Sequence, residues 1–119
     1  MTLHDADLHD LNSLIHVMKF VRPDRIFHLA AQSYVLDRFL APADTLQVNV
    51  VGTTNLLDAV RWAEIEPLIH ICSSSEVYAQ VREDEVPVKG SHSFRPESPY
   101  AVSKFGEDIL VLQYFYHTG

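Results

Sequence analysis

Arg25-Ile26-Phe27-His28-Leu29-Ala30 and Leu68-Ile69-His70-Ile71-Cys72 are the two short apolar runs on which the fold turns. Each is flanked by charged or polar residues, the profile of a buried β-strand. Between them, Pro42 opens a stretch running to about Glu64 in which Leu46, Val50, Leu57 and Val60 form one helical stripe. Strand, long helix, strand is a βαβ unit, whose strands are parallel, so the expected fold class is α/β. Upstream, Leu11, Leu14, Ile15, Met18 and Val21 recur at helical spacing, with Asp10 placed as an N-cap and Pro23 as the stop. Downstream, residues 79–97 carry Pro87, Gly90 and Pro96 among polar neighbours and are expected to form a long loop. A last helix is expected from Pro99 towards His117, with Gly119 as its cap and Phe105, Ile109, Leu112 and Phe115 in the core.

The 119 residues match the size of one domain, and 47% hydrophobic with 21% charged residues is the composition of a globular chain without a membrane-length apolar run. A formal charge of -7, with lysines and arginines scattered singly, disfavours a nucleic-acid binder, which needs a basic stripe. The single cysteine, Cys72, rules out an internal disulfide and a cysteine zinc knuckle. His4, His9, His28 and His70 lack ligand spacing, so no metal is expected. Met1-Thr2-Leu3-His4-Asp5 has neither the basic nor the apolar region of a secretory signal, and a cytoplasmic location is expected. Only four glycines occur, at Gly52, Gly90, Gly106 and Gly119.

In open parallel sheets chemistry gathers at the carboxyl ends of the strands. Gln32-Ser33 follows the first strand here and Ser73-Ser74-Ser75-Glu76 the second. Tyr100 and Lys104, four apart on the expected last helix, rise on one face. Alone, the pair more often means a packed tyrosine and a solvated lysine. With a serine cluster 26 residues upstream at a strand end, the two elements meet at one sheet mouth. An ammonium beside a phenol favours the phenolate, and Ser74 can hydrogen-bond the same substrate hydroxyl. Together they make a proton-abstraction site for oxidising an alcohol, given a hydride acceptor.

His28-Leu29-Ala30-Ala31-Gln32-Ser33, Asn49-Val50-Val51-Gly52-Thr53, Cys72-Ser73-Ser74-Ser75-Glu76-Val77-Tyr78 and Phe94 to Lys104 resemble successive motifs of the extended short-chain dehydrogenase/reductase family. The likeness runs from about Asp5 to the end. Within the family the chain is most similar to the sugar-nucleotide 4,6-dehydratases, and among those to the ones acting on GDP-mannose. The resemblance implies an incomplete Rossmann-like, doubly wound parallel sheet spanning residues 1–119, and NADP or NAD as cofactor. Tyr100, Lys104 and Ser74 would oxidise C4 of a nucleotide sugar, Glu76 would remove the C5 proton, and Ser75 would assist loss of the C6 hydroxyl. Hydride then returns to C6, with no net redox change. Cofactor contacts implied in the same way are Asp7, Leu8, Leu29, Ala30, Ala31, Asn49, Tyr100 and Lys104. A homo-oligomer through the helices 42–64 and 99–117 is also implied.

Two departures from the family pattern stand out. The Gly-x-x-Gly-x-x-Gly loop that carries the dinucleotide pyrophosphate has no counterpart, since no glycine precedes Gly52. Ala79 occupies a position where the family usually has glycine. The chain is therefore expected to be part of a dehydratase, inactive by itself and prone to associate because two strands leave faces and edges uncovered. An epimerase or reductase portion, and a non-enzymatic protein that self-associates, are the alternatives.

Overall fold

The structure, a computed structural model, describes residues 1–34 and 39–118. Helix α1 (Leu11–Val21) begins where the sequence predicts. The extended Asp10 places its carboxylate to accept the Asn12 N–H at 3.0 Å. At the other end Arg22 takes a left-handed conformation (φ 46°) and donates its N–H to the Met18 carbonyl at 2.9 Å. Pro23 then prevents another turn.

Strand β1 (Arg25–His28) lies parallel to β2 (Leu68–Ile71), in a register that pairs Arg25 with Leu68 and His28 with Ile71. Both strands end earlier than expected, at His28 rather than Ala30 and at Ile71 rather than Cys72. The side chains alternate. Ile26 and Ile69 pack on the helices and His28 is buried, while Phe27 and Leu68 are 66% and 68% exposed. The expected buried strands are thus buried on one face only. Among the described residues the helices cover one face only, and the period of two sends every second side chain to the bare one. Phe27 and His70 stand there as cross-strand neighbours, ring centroids 5.8 Å apart.

The crossover is helical throughout but not one regular helix. Helix α2 (Pro42–Leu46) passes through a π-helical turn (Gln47–Val51) into α3 (Gly52–Trp62). A π turn takes more residues per revolution than an α turn and so rotates the stripe that follows it. Leu57 and Val60 are buried as expected, whereas Leu46 faces outward and Val50 is half-buried; Thr45, Asn49 and Thr53 take the inner positions upstream. Gly52 permits a close approach, because a Cβ there would meet the Leu8 Cβ at 2.9 Å. The core joins α1 and α3 through Leu14, Met18, Leu56, Ala59, Val60 and Ala63.

After β2, Ser74 caps a 3-10 turn (Ser75–Tyr78), accepting the Glu76 N–H at 3.2 Å. Ala79 follows at φ 59°, ψ -145°, a conformation that L residues rarely adopt. The expected loop 79–97 contains one short 3-10 turn, Glu83–Glu85, and returns under an aromatic stack of Tyr78, Phe94 and Phe105. Helix α4 (Pro99–Thr118) then packs on the crossover. Its expected core is corrected: Phe105 is half-buried, and Ile109, Leu112 and Phe115 are exposed. The inner face instead carries Ala101, Ser103, Lys104 and Glu107, because α4 meets polar Thr45 and Asn49 across the interface. The expected cap Gly119 lies outside the described residues. No helix among the described residues is long and apolar enough to cross a membrane.

Candidate active site

The exits of the two parallel strands are tied to the start of α4 by four side chains. Asn49, fully buried in the π turn, accepts the Gln32 N–H at 2.7 Å and donates to the Gln32 carbonyl at 3.1 Å and to Ser103 Oγ at 2.8 Å. Ser103 in turn donates to the Tyr100 carbonyl at 2.7 Å. Thus the segment leaving β1 is held to the turn of helix that carries Tyr100.

The second tie is Lys104, only 3% exposed, whose ammonium donates to the Cys72 carbonyl and to Glu107 Oε2, both at 3.1 Å. It lies 6.0 Å from the Tyr100 ring centroid. The third is Ser98, which accepts the Ala101 N–H at 3.0 Å as a helix cap and donates to Glu76 Oε2 at 3.1 Å. The fourth is Ser73, donating to Asp108 Oδ2 at 2.6 Å. All of these converge at the carboxyl end of the sheet.

The structure therefore brings Ser74, Ser75 and Glu76, on the turn after β2, against the helix bearing Tyr100 and Lys104. Glu76 is exposed and borders a cavity of about 190 Å³ lined by Ala79, Gln80, Glu97, Ser98 and Ala101. A larger hollow of about 980 Å³ opens at the opposite, amino ends of the strands, between Asp24, Leu68 and Phe115, remote from Tyr100. Leu29, Ala30 and Ala31 follow β1 directly, with Leu29 and Ala30 exposed. Asn49 presents no free amide to a ligand; it acts on this rim through the Gln32 backbone. Asp7 and Leu8 lie apart, the Asp7 carboxylate accepting the His9 N–H at 2.8 Å and the Leu8 carbonyl accepting the Asn55 amide at 2.7 Å.

Two buried titratable groups, Glu107 and His28, have no role at this site in the sequence reading. Burial pushes the Glu107 carboxyl up to about 7, with the Lys104 ammonium opposing part of that rise. His28, whose Nε2 hydrogen-bonds Thr53 Oγ1 at 2.9 Å, is pushed down by burial first and by Lys104 second. Glu107 had a signal: it sits three residues after Lys104 on the same helical face. Ser98 had one too, as a serine just before a Pro-initiated helix.

A parallel strand–helix–strand unit with Tyr-x-x-x-Lys at its carboxyl rim is the arrangement of the Rossmann-type short-chain dehydrogenase/reductase class. Solved structures agree. RMD from Pseudomonas aeruginosa complexed with NADPH superposes with a TM-score of 0.91 at 39% identity, covering 98% of this chain and 39% of that one. UDP-glucose 4-epimerase from Brucella ovis in complex with NAD gives 0.84 at 27% identity, over 92% of this chain and 33% of that one. The model of the GDP-mannose 4,6 dehydratase family matches residues 1–119, and the chain belongs to that family. The GDP-mannose 4,6-dehydratase of Yersinia enterocolitica is 41% identical over 114 residues, 94% of this chain and 30% of the relative. The GDP-6-deoxy-D-mannose reductase of Pseudomonas aeruginosa is 42% identical over 92 residues, 77% of this chain and 30% of the relative. The chain thus spans about a third or less of the length of these curated relatives.

The residues present fit the nicotinamide end of a dinucleotide. Among the described residues, the Cys72 carbonyl and Glu107 accept from two of the three N–H donors of the Lys104 ammonium, so a third donor is available to a bound group. The pyrophosphate end lacks its glycine-rich cradle within this chain.

Proposed function

We propose that residues 1–119 are part of a dinucleotide-binding Rossmann-like domain and supply the acid–base centre of a sugar-nucleotide 4,6-dehydratase, a lyase that converts GDP-mannose to GDP-4-keto-6-deoxymannose. The observation that carries this reading is the Ser98–Glu76 hydrogen bond, which holds a carboxylate on the Ser74-Ser75-Glu76 turn beside the Tyr100 helix. Tyr100, with Lys104 and Ser74 beside the substrate, takes the C4 hydroxyl proton. Glu76 then takes the C5 proton, acidic because it lies alpha to a ketone, and Ser75 assists departure of the C6 hydroxyl as water. Tyr100 and Lys104 would hold the nicotinamide end of NADP or NAD, which when bound would supply reversible hydride transfer between C4 and C6, with C5 regaining a proton as C6 is reduced. The enzyme is assigned to the cytoplasm, with a nucleotide sugar as its partner. The isolated chain, without a pyrophosphate cradle, is inactive.

The test is Glu76→Gln in a completed enzyme, with this chain spliced into the flanking segments of the Yersinia enterocolitica relative. Formation of the 4-keto-6-deoxy product and solvent deuterium uptake at C5 are expected to fall by about 10²–10⁴-fold. Product formation equal to that of the unmodified enzyme refutes the role of Glu76. A second reading, a nucleotide-sugar reductase portion, is favoured by the 42% identity to the Pseudomonas aeruginosa reductase. It predicts reduction of a 4-keto-6-deoxy nucleotide sugar and no product from GDP-mannose.

We also propose self-association through the outer faces of the helical segments 42–64 and 99–117, supported by the exposed Leu46, Val51, Ile109 and Leu112. Sedimentation that finds only monomer at all concentrations refutes it.

A further inference from the structure

Glu107 is the largest fully buried side chain and carries one of the two buried polar side-chain atoms without a hydrogen-bond partner among the described residues, its Oε1. Its other oxygen lies 3.1 Å from the Lys104 ammonium, in an ion pair whose side chains are 4% and 0% exposed. Burying both members of an ion pair is costly, and a hydrophobic pair of the same volume is often as stable or more so. A fold that only needed to pack α4 against α2 would be served as well by two apolar residues. What the pair adds is geometry. One N–H of Lys104 is fixed by the Cys72 carbonyl at the end of β2 and a second by Glu107 from within α4. Two fixed donors set the place of the nitrogen and the direction of the third. A four-carbon stem anchored by the carbonyl alone would retain several rotamers.

We propose that Glu107 is the positioning residue of this centre: its buried carboxyl, acting with the Cys72 carbonyl, locks the Lys104 ammonium beside Tyr100 with one N–H left for the ligand. The catalytic consequence rests on the dehydratase reading; the lock itself does not. The charged groups around the pair are few. Asp108 shares its helix, and the imidazole of His28 on β1 has its pKa pushed down by burial and by Lys104. On the crossover, Asp44 is exposed on α2, and Asp58 and Arg61 of α3 pair with each other at 3.0 Å. A carboxyl that titrates near neutrality makes the lock pH-dependent, because the hydrogen bond from the ammonium becomes a full ion pair only when the carboxyl is ionised.

Two measurements test this. The first follows the Glu107 carboxyl carbon by NMR in the 119-residue chain, at pH values where far-UV circular dichroism shows the helices intact. The midpoint is expected near 7 and is expected to rise further in Lys104→Met, where the opposing ammonium is gone. A midpoint in the ordinary glutamate range that Lys104→Met leaves unmoved overturns the proposal. The second compares pH profiles of the completed enzyme. The unmodified enzyme is expected to show a rise in kcat through pH 7 as the carboxylate forms. Glu107→Gln, close in shape and uncharged, is expected to lose that rise and about tenfold in kcat at pH 8, with KM for the nucleotide sugar unchanged. Identical profiles overturn the proposal. An unmodified enzyme without dehydratase activity refutes the functional reading instead, and the carboxyl titration still decides the lock.

Discussion

Replacing Asn49 by leucine keeps the branched four-atom side chain, slightly enlarged, and deletes three hydrogen bonds at once. The Gln32 N–H loses an acceptor at 2.7 Å, the Gln32 carbonyl a donor at 3.1 Å, and Ser103 Oγ a donor at 2.8 Å. Each polar group stripped of a partner in a buried setting costs about 1–3 kcal/mol. Ser103 keeps its bond to the Tyr100 carbonyl, and Gln32 is half-buried, so water recovers part of the loss. The expected destabilisation is about 2–4 kcal/mol. Urea unfolding followed by far-UV circular dichroism reads the global cost, and amide exchange at Gln32 reads the local one. At a factor of ten per 1.4 kcal/mol, the Gln32 amide is expected to exchange at least about 30-fold faster. Asn49→Asp separates the roles of the two amide groups. Its carboxylate still accepts from the Gln32 N–H but confronts the Gln32 carbonyl, so its destabilisation grows as pH rises through the carboxylate range. Unchanged Gln32 exchange in the leucine variant, or a global cost below about 0.5 kcal/mol, would show that the loop after β1 is held by something other than Asn49.

Ala79→Gly relieves a backbone held at φ 59°, ψ -145° and is expected to stabilise the chain by about 1 kcal/mol in urea unfolding; a destabilised variant would mean that the methyl group packs usefully. The Glu107 carboxyl, raised from 4.5 to about 7, keeps in the native state a proton that the unfolded chain releases between those values. Its contribution to stability is therefore full below pH 4.5 and is lost as pH rises to about 7, by about 3 kcal/mol. Glu107→Gln is expected to lack this falling component, and urea midpoints that run parallel for the two proteins from pH 4.5 to 8 would contradict it.

The elements whose side chains obey hydropathy were legible in the sequence. Asp10, the Leu11 to Val21 period and Pro23 delimit α1, and two apolar runs flanking a helical stretch give the parallel pair. Hydropathy misleads where the inner face is polar. On α4 it assigns Ile109, Leu112 and Phe115 to the core, whereas Lys104 and Glu107 are inside as an ion pair whose ammonium also reaches the Cys72 carbonyl. The π turn escapes for a related reason. Its buried residue is Asn49, so the apolar stripe that would reveal a change of period is interrupted where the period changes. At the candidate site the serine turn and the Tyr-Lys pair were visible as residue types at a spacing. Their coupling through Ser98 and Asn49 was not, since it joins residues 22 and 54 positions apart.

The bare face of the sheet makes stability a matter of mass action. Whatever covers Phe27, Leu68 and His70 binds only the folded chain, because the parallel ladder that places these side chains together exists only there. Each tenfold excess of such a cover over its dissociation constant adds about 1.4 kcal/mol to folding. If further copies of the chain supply the cover, the unfolding midpoint climbs with protein concentration. A single melting temperature would then describe the sample and not the molecule.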